Sequence, residues 1–145
     1  MKRVAIAVSR FNEKITSALL AGCLKTFKAE GWKDSQLKVV QVPGGYELPW
    51  TVSELARSGR YDAVVALGCV LKGRTRQNEY ISASLVRSLH EISVASRVPV
   101  ILGVLTPDTW AQALARTKGG LDRGREAALA ALEMVALKEE LRGKA

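Results

Sequence analysis

Four apolar runs, near 3–8, 37–42, 62–71 and 99–105, alternate along the chain with longer segments whose apolar positions recur at helical spacing. The runs read as strands, and the segments near 13–30, 46–58, 77–96, 107–117 and 122–142 read as helices. Ala63–Leu71 is almost wholly apolar, which predicts a central parallel strand with helices over both faces. In the first helix Ile15, Leu19, Cys23 and Phe27 make one buried stripe, and Gly31 ends the helix by accepting the left-handed cap conformation. Thr106 is placed to cap the fourth helix, with Pro107 at its first position, where a missing N–H costs nothing. In the last helix Ala128, Ala131, Leu132 and Val135 face inward and Glu139, Glu140 and Arg142 outward.

Strands alternating with helices define an α/β protein. Right-handed crossovers then give a three-layer, flavodoxin-like fold: a four-stranded parallel sheet of order 2-1-3-4 with helices on both faces. This layout brings the four turns that follow the strands to one edge of the sheet. With 145 residues, 48% of them hydrophobic, the chain supplies one substantial core, so residues 1–145 are expected to form a single domain.

No run of about 18 apolar residues is present, which argues against a membrane span. The start, MKRVAIAVSRFN, reads as a first strand, because Arg10 interrupts the apolar run and no small-residue cleavage site follows. Cys23 and Cys69 form neither a metal-binding nor a CxxC spacing. A reduced, cytoplasmic protein is expected, although spacing alone leaves a disulfide open. The formal charge of +8 and a pI near 9.8 point toward nucleic acid. The basic residues are scattered from Lys2 to Lys144 without an arginine-rich tract, so a basic surface that focuses anionic substrates is the better reading.

Candidate chemistry lies in the turns. After the third strand, Gly73 permits a sharp turn, Thr75 offers a hydroxyl, and Lys72, Arg74 and Arg76 bring positive charge to a helix start. That combination suits a phosphate, or is an ordinary turn with a solvated basic rim. Phe11-Asn12 after the first strand reads, on its residues alone, as a partly buried aromatic and a helix cap. Gly44-Gly45-Tyr46-Glu47 exposes backbone N–H groups, and Glu47 at a helix start is favourable with or without a ligand. Arg116 near a helix end is favourable on the same ground.

Taken together, RFN at 10–12, VPGGYELP at 42–49, ALGCVLKGRT at 66–75, GVLTPDT at 103–109 and QALAR at 112–116 resemble the lumazine synthase family, in order and spacing, over nearly the whole chain. The resemblance implies condensation of 5-amino-6-(D-ribitylamino)uracil with 3,4-dihydroxy-2-butanone 4-phosphate, without a metal or redox cofactor. It assigns stacking on the pyrimidine to Phe11, with Asn12 a secondary contact. Gly45, Tyr46 and Glu47 would bind the ribityl hydroxyls, Val70 and Leu71 would line the site, and Gly73, Arg74, Thr75 and Arg116 would hold the phosphate. Leu102 and Arg116 would serve a neighbouring subunit in a homopentamer or a multiple of pentamers, with riboflavin synthase a further candidate partner. The chain begins almost at its first core strand, so an additional amino-terminal strand laid on a neighbour is not expected.

Several positions depart from the family. Its turn usually continues Gly-x-Thr-x-His and an aromatic, the histidine being the proposed proton-transfer group; here Gln77 and Asn78 stand there. Gln77 can orient a water or hydroxyl but cannot titrate, so Glu79, bound water or the substrate phosphate is left to move protons. His90, the single histidine, lies 13 residues further along the same helix, about 20 Å away. Leu102 stands where phenylalanine is frequent, and Arg74 where a small or acidic residue is frequent. The segment 117–124 is shorter than usual, leaving Lys118 and Arg123 without an assigned role. These departures keep a second expectation open, a non-catalytic homologue that binds a lumazine or flavin. A flavodoxin-like FMN carrier is a third.

Overall fold

The computed structural model describes residues 1–143. Strands β1 (Val4–Ser9), β2 (Leu37–Val42), β3 (Ala63–Cys69) and β4 (Val100–Leu105) form one parallel sheet in the order β2-β1-β3-β4. Helices α1 (Glu13–Ala29) and α5 (Arg123–Leu141) cover one face, and α2 (Leu48–Arg57) and α3 (Gln77–Ser96) cover the other. A short α4 (Trp110–Ala115) follows β4. This is the flavodoxin-like arrangement that the alternation of elements predicts. Among the described residues no helix is long and apolar enough to cross a membrane.

Strand alternation divides the core in two. Val4, Ile6 and Val8 of β1 pack with Ile15, Leu19, Cys23 and Phe27 of α1 and with Ala128, Ala131 and Val135 of α5. Ala5 and Ala7 face Leu48 and Val52 of α2 and Leu85 and Leu89 of α3. The α1 stripe is fully buried as expected, and Gly31 follows the helix with φ +88°, the left-handed conformation expected of it. In α5, Leu132 is half-buried at the margin of the same core.

Several boundaries differ from the expectations. The third strand leaves the ladder at Cys69, so Val70 and Leu71 belong to the turn. The helix expected from 46 opens with a 3₁₀ turn at Gly45–Glu47 before α2 begins. Thr106 does not cap the fourth helix: Thr109 does, its Oγ1 accepting from Gln112 N at 3.1 Å. The Thr106-Pro107 segment lies outside the helix, where Pro107 O accepts a bond from Lys72 N, 3.1 Å away, which ties it to the neighbouring turn. Asn12 occupies the cap position of α1 without a side-chain cap bond, and Phe11 is 71% exposed where a partly buried ring was expected.

Candidate functional site

Because all four strands run parallel, their following turns meet at one edge, where an open α/β sheet binds ligands. The β1 turn bonds to the β2 turn through Arg10 N to Val42 O (2.8 Å) and Phe11 N to Pro43 O (3.0 Å). The β3 turn bonds to the β4 turn through Val70 N to Leu105 O (2.8 Å) and Lys72 N to Pro107 O (3.1 Å). Asn12 joins the two pairs, its Nδ2 donating to Cys69 O at 2.9 Å.

Between these turns and the start of α3 lies a cavity of about 300 Å³, the lower end of the range for small-molecule sites. Phe11, Gly45, Tyr46, Val70, Leu71, Gly73, Thr75 and Gln77, all singled out from sequence, line it. Phe11 and Tyr46, 71% and 75% exposed, present ring surface at its mouth. Gly45 makes room for the wall: a Cβ there would lie 3.3 Å from Leu85 Cδ1 and 3.4 Å from Val70 Cγ2. Thr75 Oγ1 accepts from Gln77 N at 3.3 Å, which turns the chain into α3 beside the cavity. Lys72, Arg74 and Arg76 are exposed around this turn and give it a cationic rim.

The other candidates lie elsewhere. Glu47 borders a neighbouring depression with Pro43, Trp50 and Thr51. A Cβ on Gly44 would lie 3.3 Å from Glu47 Oε1, so the carboxylate stays close to the glycine turn. Asn12 commits its amide to the Cys69 carbonyl, and Arg74 and Glu79 are exposed outside the cavity lining. Leu102 is 48% exposed in the edge strand β4. Arg116 belongs to a separate polar cavity of about 380 Å³ beyond β4, with Thr106, Asp108, Gln112 and Arg123. There Arg116 Nη1 donates to Gln112 O at 3.3 Å, and Arg123 pairs with Glu126 at 3.5 Å. Lys118 is exposed at the start of the 3₁₀ turn Gly119–Leu121.

Gly44 and Asn78, named in the two turns without an assigned role, also line the cavity, as do Cys69 and Ile81, which sequence reasoning does not place in the site. The helical spacing of Ile81 from Gln77 was the available signal for it. Cys69 is buried at the strand end, and burial pushes its thiol up to about 11. It therefore forms a neutral, apolar floor near pH 7 and not a nucleophile. Among the described residues no three His, Cys, Asp or Glu side chains converge as metal ligands would.

A parallel sheet of this order, with a ligand-sized cavity at its carboxyl edge walled by a glycine turn and a threonine turn, defines a flavodoxin-like α/β protein with a candidate small-molecule site. Within that class, the 6,7-dimethyl-8-ribityllumazine synthase family model matches residues 1–139, and the chain belongs to that family. Membership implies a transferase of the lumazine synthase type, in riboflavin biosynthesis.

Proposed function

We propose that the chain condenses 5-amino-6-(D-ribitylamino)uracil with 3,4-dihydroxy-2-butanone 4-phosphate, forming 6,7-dimethyl-8-ribityllumazine and releasing phosphate. The observation that carries the reading is the joining of Phe11, the Gly45-Tyr46 turn and Thr75 in one cavity of a chain from this family. In this reading Phe11 stacks on the pyrimidine and the Gly45–Glu47 segment binds the ribityl hydroxyls. Val70 and Leu71 exclude water, while Gly73, Thr75 and Arg74 hold the phosphate. The amine and ketone join as an imine with loss of water, phosphate leaves, and ring closure with loss of a second water gives the lumazine.

Gln77 borders the cavity and orients a water or hydroxyl, but its amide neither gains nor loses a proton near neutral pH. Positioned acid–base catalysis contributes about 10²–10⁴-fold, and alignment of two reactants supplies effective molarities of roughly 10⁵–10⁸ M. Alignment, the greater of these two contributions, does not depend on a histidine. The enzyme therefore turns over without one, more slowly, with bound water, the substrate phosphate or Glu79 moving protons. Its rate lacks a histidine-like inflection near neutral pH, and a clear inflection that survives replacement of His90 would overturn this reading.

Arg116 and Leu102 do not open into the Phe11 cavity of their own chain, which supports a site shared between subunits. Both then act on a neighbour in a homopentamer or a multiple of it, Arg116 pairing two phosphate oxygens through its planar fork. The protein is a single-domain, cytoplasmic enzyme in this reading, and riboflavin synthase consumes its product.

Steady-state product formation from both purified substrates, corrected for the spontaneous reaction, tests the proposal. A saturable excess rate is expected, with no histidine-like inflection near neutral pH, and a pentamer or larger species in sedimentation. No excess rate together with tight riboflavin or lumazine binding identifies the binding homologue instead. A monomer at micromolar concentration removes the shared site.

A further inference from the structure

Among the hydrogen bonds that tie the four carboxyl-edge turns together, the link from the β1 turn to the end of β3 is made by a side chain. Asn12 Nδ2 donates to Cys69 O at 2.9 Å, across 57 residues of sequence. Asn12 holds φ +62°, ψ +48°, a left-handed conformation uncommon outside glycine and best tolerated by asparagine. Its backbone oxygen accepts from Ile15 N and Thr16 N, so the chain enters α1 through the main chain alone. The side chain makes no cap bond to the helix and is therefore not explained by helix initiation.

We propose that Asn12 is a positioning residue: its amide fixes Phe11 relative to Cys69, Val70 and Leu71, which line the same cavity. Phe11 N is anchored on its other side to Pro43 O, and Val70 N to Leu105 O. The Asn12 amide thus couples the half of the edge that carries the exposed ring to the half that leads into Thr75 and Gln77. Apart from it, the two halves meet through the β1–β3 ladder, which runs through Val8 opposite Leu67, and through the close approach of Gly45 to the Val70 side chain. An asparagine chosen merely to satisfy a left-handed backbone would be replaceable by glycine, which takes positive φ at no steric cost.

That contrast supplies the test. Asn12→Gly keeps the backbone conformation and removes only the amide. Asn12→Asp keeps a side chain of the same shape but sets an acceptor against the Cys69 carbonyl. Amide exchange in the intact protein is expected to quicken in both variants over residues 10–12 and 69–75, with the centres of β1 and β3 unchanged. The kinetic arm rests on the proposed condensation. There, Asn12→Gly is expected to lower kcat/KM roughly tenfold, chiefly through a higher KM for the pyrimidine, as misplacement of a binding surface does. Asn12→Asp is expected to fall at least as far, with the melting temperature of Asn12→Gly close to that of the parent.

Unchanged exchange in Asn12→Gly overturns the proposal, and so do unchanged kinetic constants in an active parent. A parent chain with no rate above the spontaneous reaction removes the functional reading instead. The exchange comparison then still decides whether the Asn12 amide holds the two halves together.

Discussion

The two helical layers cover the same sheet in opposite ways. α1 buries Ile15, Thr16, Leu19, Cys23 and Phe27 along its length, and α5 approaches so closely that Gly124 packs on the Leu19 carbonyl. Asp122 caps α5, its Oδ1 accepting from Gly124 N and Arg125 N at 2.9 and 3.1 Å, and its carboxylate lies against Gly22. α3, a helix of 20 residues, buries only Leu85 and Leu89. Its first turns instead wall the cavity with Gln77, Asn78 and Ile81. One layer is closed along its whole length. The other is left open at the strand ends, where the proposed reading places the ligand and a neighbouring subunit. Substitutions should therefore separate into those that lower stability and spare ligand handling, and those that do the reverse.

The closed layer offers the largest effect. Phe27 is fully buried and packs on Trp32 with ring centroids 5.3 Å apart. Phe27→Ala is expected to cost about 3–5 kcal/mol in urea unfolding, with the activity of each folded molecule preserved. A comparable loss of pyrimidine affinity in the folded fraction would break the separation. Gly124→Ala comes next, because a methyl there meets the Leu19 backbone, which cannot rotate away. Overpacking of this kind costs about 1–3 kcal/mol, readable as a lower denaturant midpoint.

On the open side, Arg116→Ala removes a cation whose bond to its own helix, Nη1 to Gln112 O, is exposed. Unfolding free energy should stay within about 0.5 kcal/mol of the parent. KM for the butanone phosphate should rise roughly tenfold or more, since hydrogen bonds to charged groups contribute about 1.5–3 kcal/mol. An equal rise for the pyrimidine would place Arg116 outside the phosphate site.

The smallest effect sharpens the contrast through pH. Burial, reinforced by the nearby Asp122 carboxylate, pushes the Cys23 thiol from 9.0 up to about 12, and burial alone raises Cys69 to about 11. Below about pH 8 both thiols are protonated in either state and contribute almost no pH dependence. Between pH 9 and about 12 the unfolded chain loses these protons first, so it binds fewer than the folded chain and stability falls as pH rises. At pH 10 the Cys23 share is about 1 kcal/mol. Urea titrations at pH 8 and pH 10 should show it, and Cys23→Ala should remove that share of the slope.

Much of the fold was legible because it rests on local repetition. The Ile15–Phe27 stripe, the wholly apolar third strand and Gly31 each follow from helix or strand period and from one residue's backbone freedom. The cavity lining was legible in good part for a related reason. A parallel sheet must deliver the turns after its strands to one edge, so Phe11, Gly45 and Thr75 meet whatever the details of packing. The start of α4 was not legible, because Thr106-Pro107 and Thr109 are both sound helix openings. In the folded chain Thr109 caps the helix, while Pro107 O bonds to Lys72 N of the neighbouring turn.

The sequence by itself determined the order of elements, the division of each strand between two core faces, and which turns carry chemistry. These follow from periods of 2 and 3.6 residues and from the handedness of crossovers, which are properties of any L-chain. Only the tertiary structure decided that Phe11 stands exposed, that Asn12 reaches across to Cys69 O, and that Arg116 lies in a different cavity from Thr75. It also decided that Gly124 is the point where α5 meets the backbone of α1. Each of these depends on the distance between segments remote in sequence. That distance is fixed only when the helices have packed on the sheet, and no local pattern encodes it.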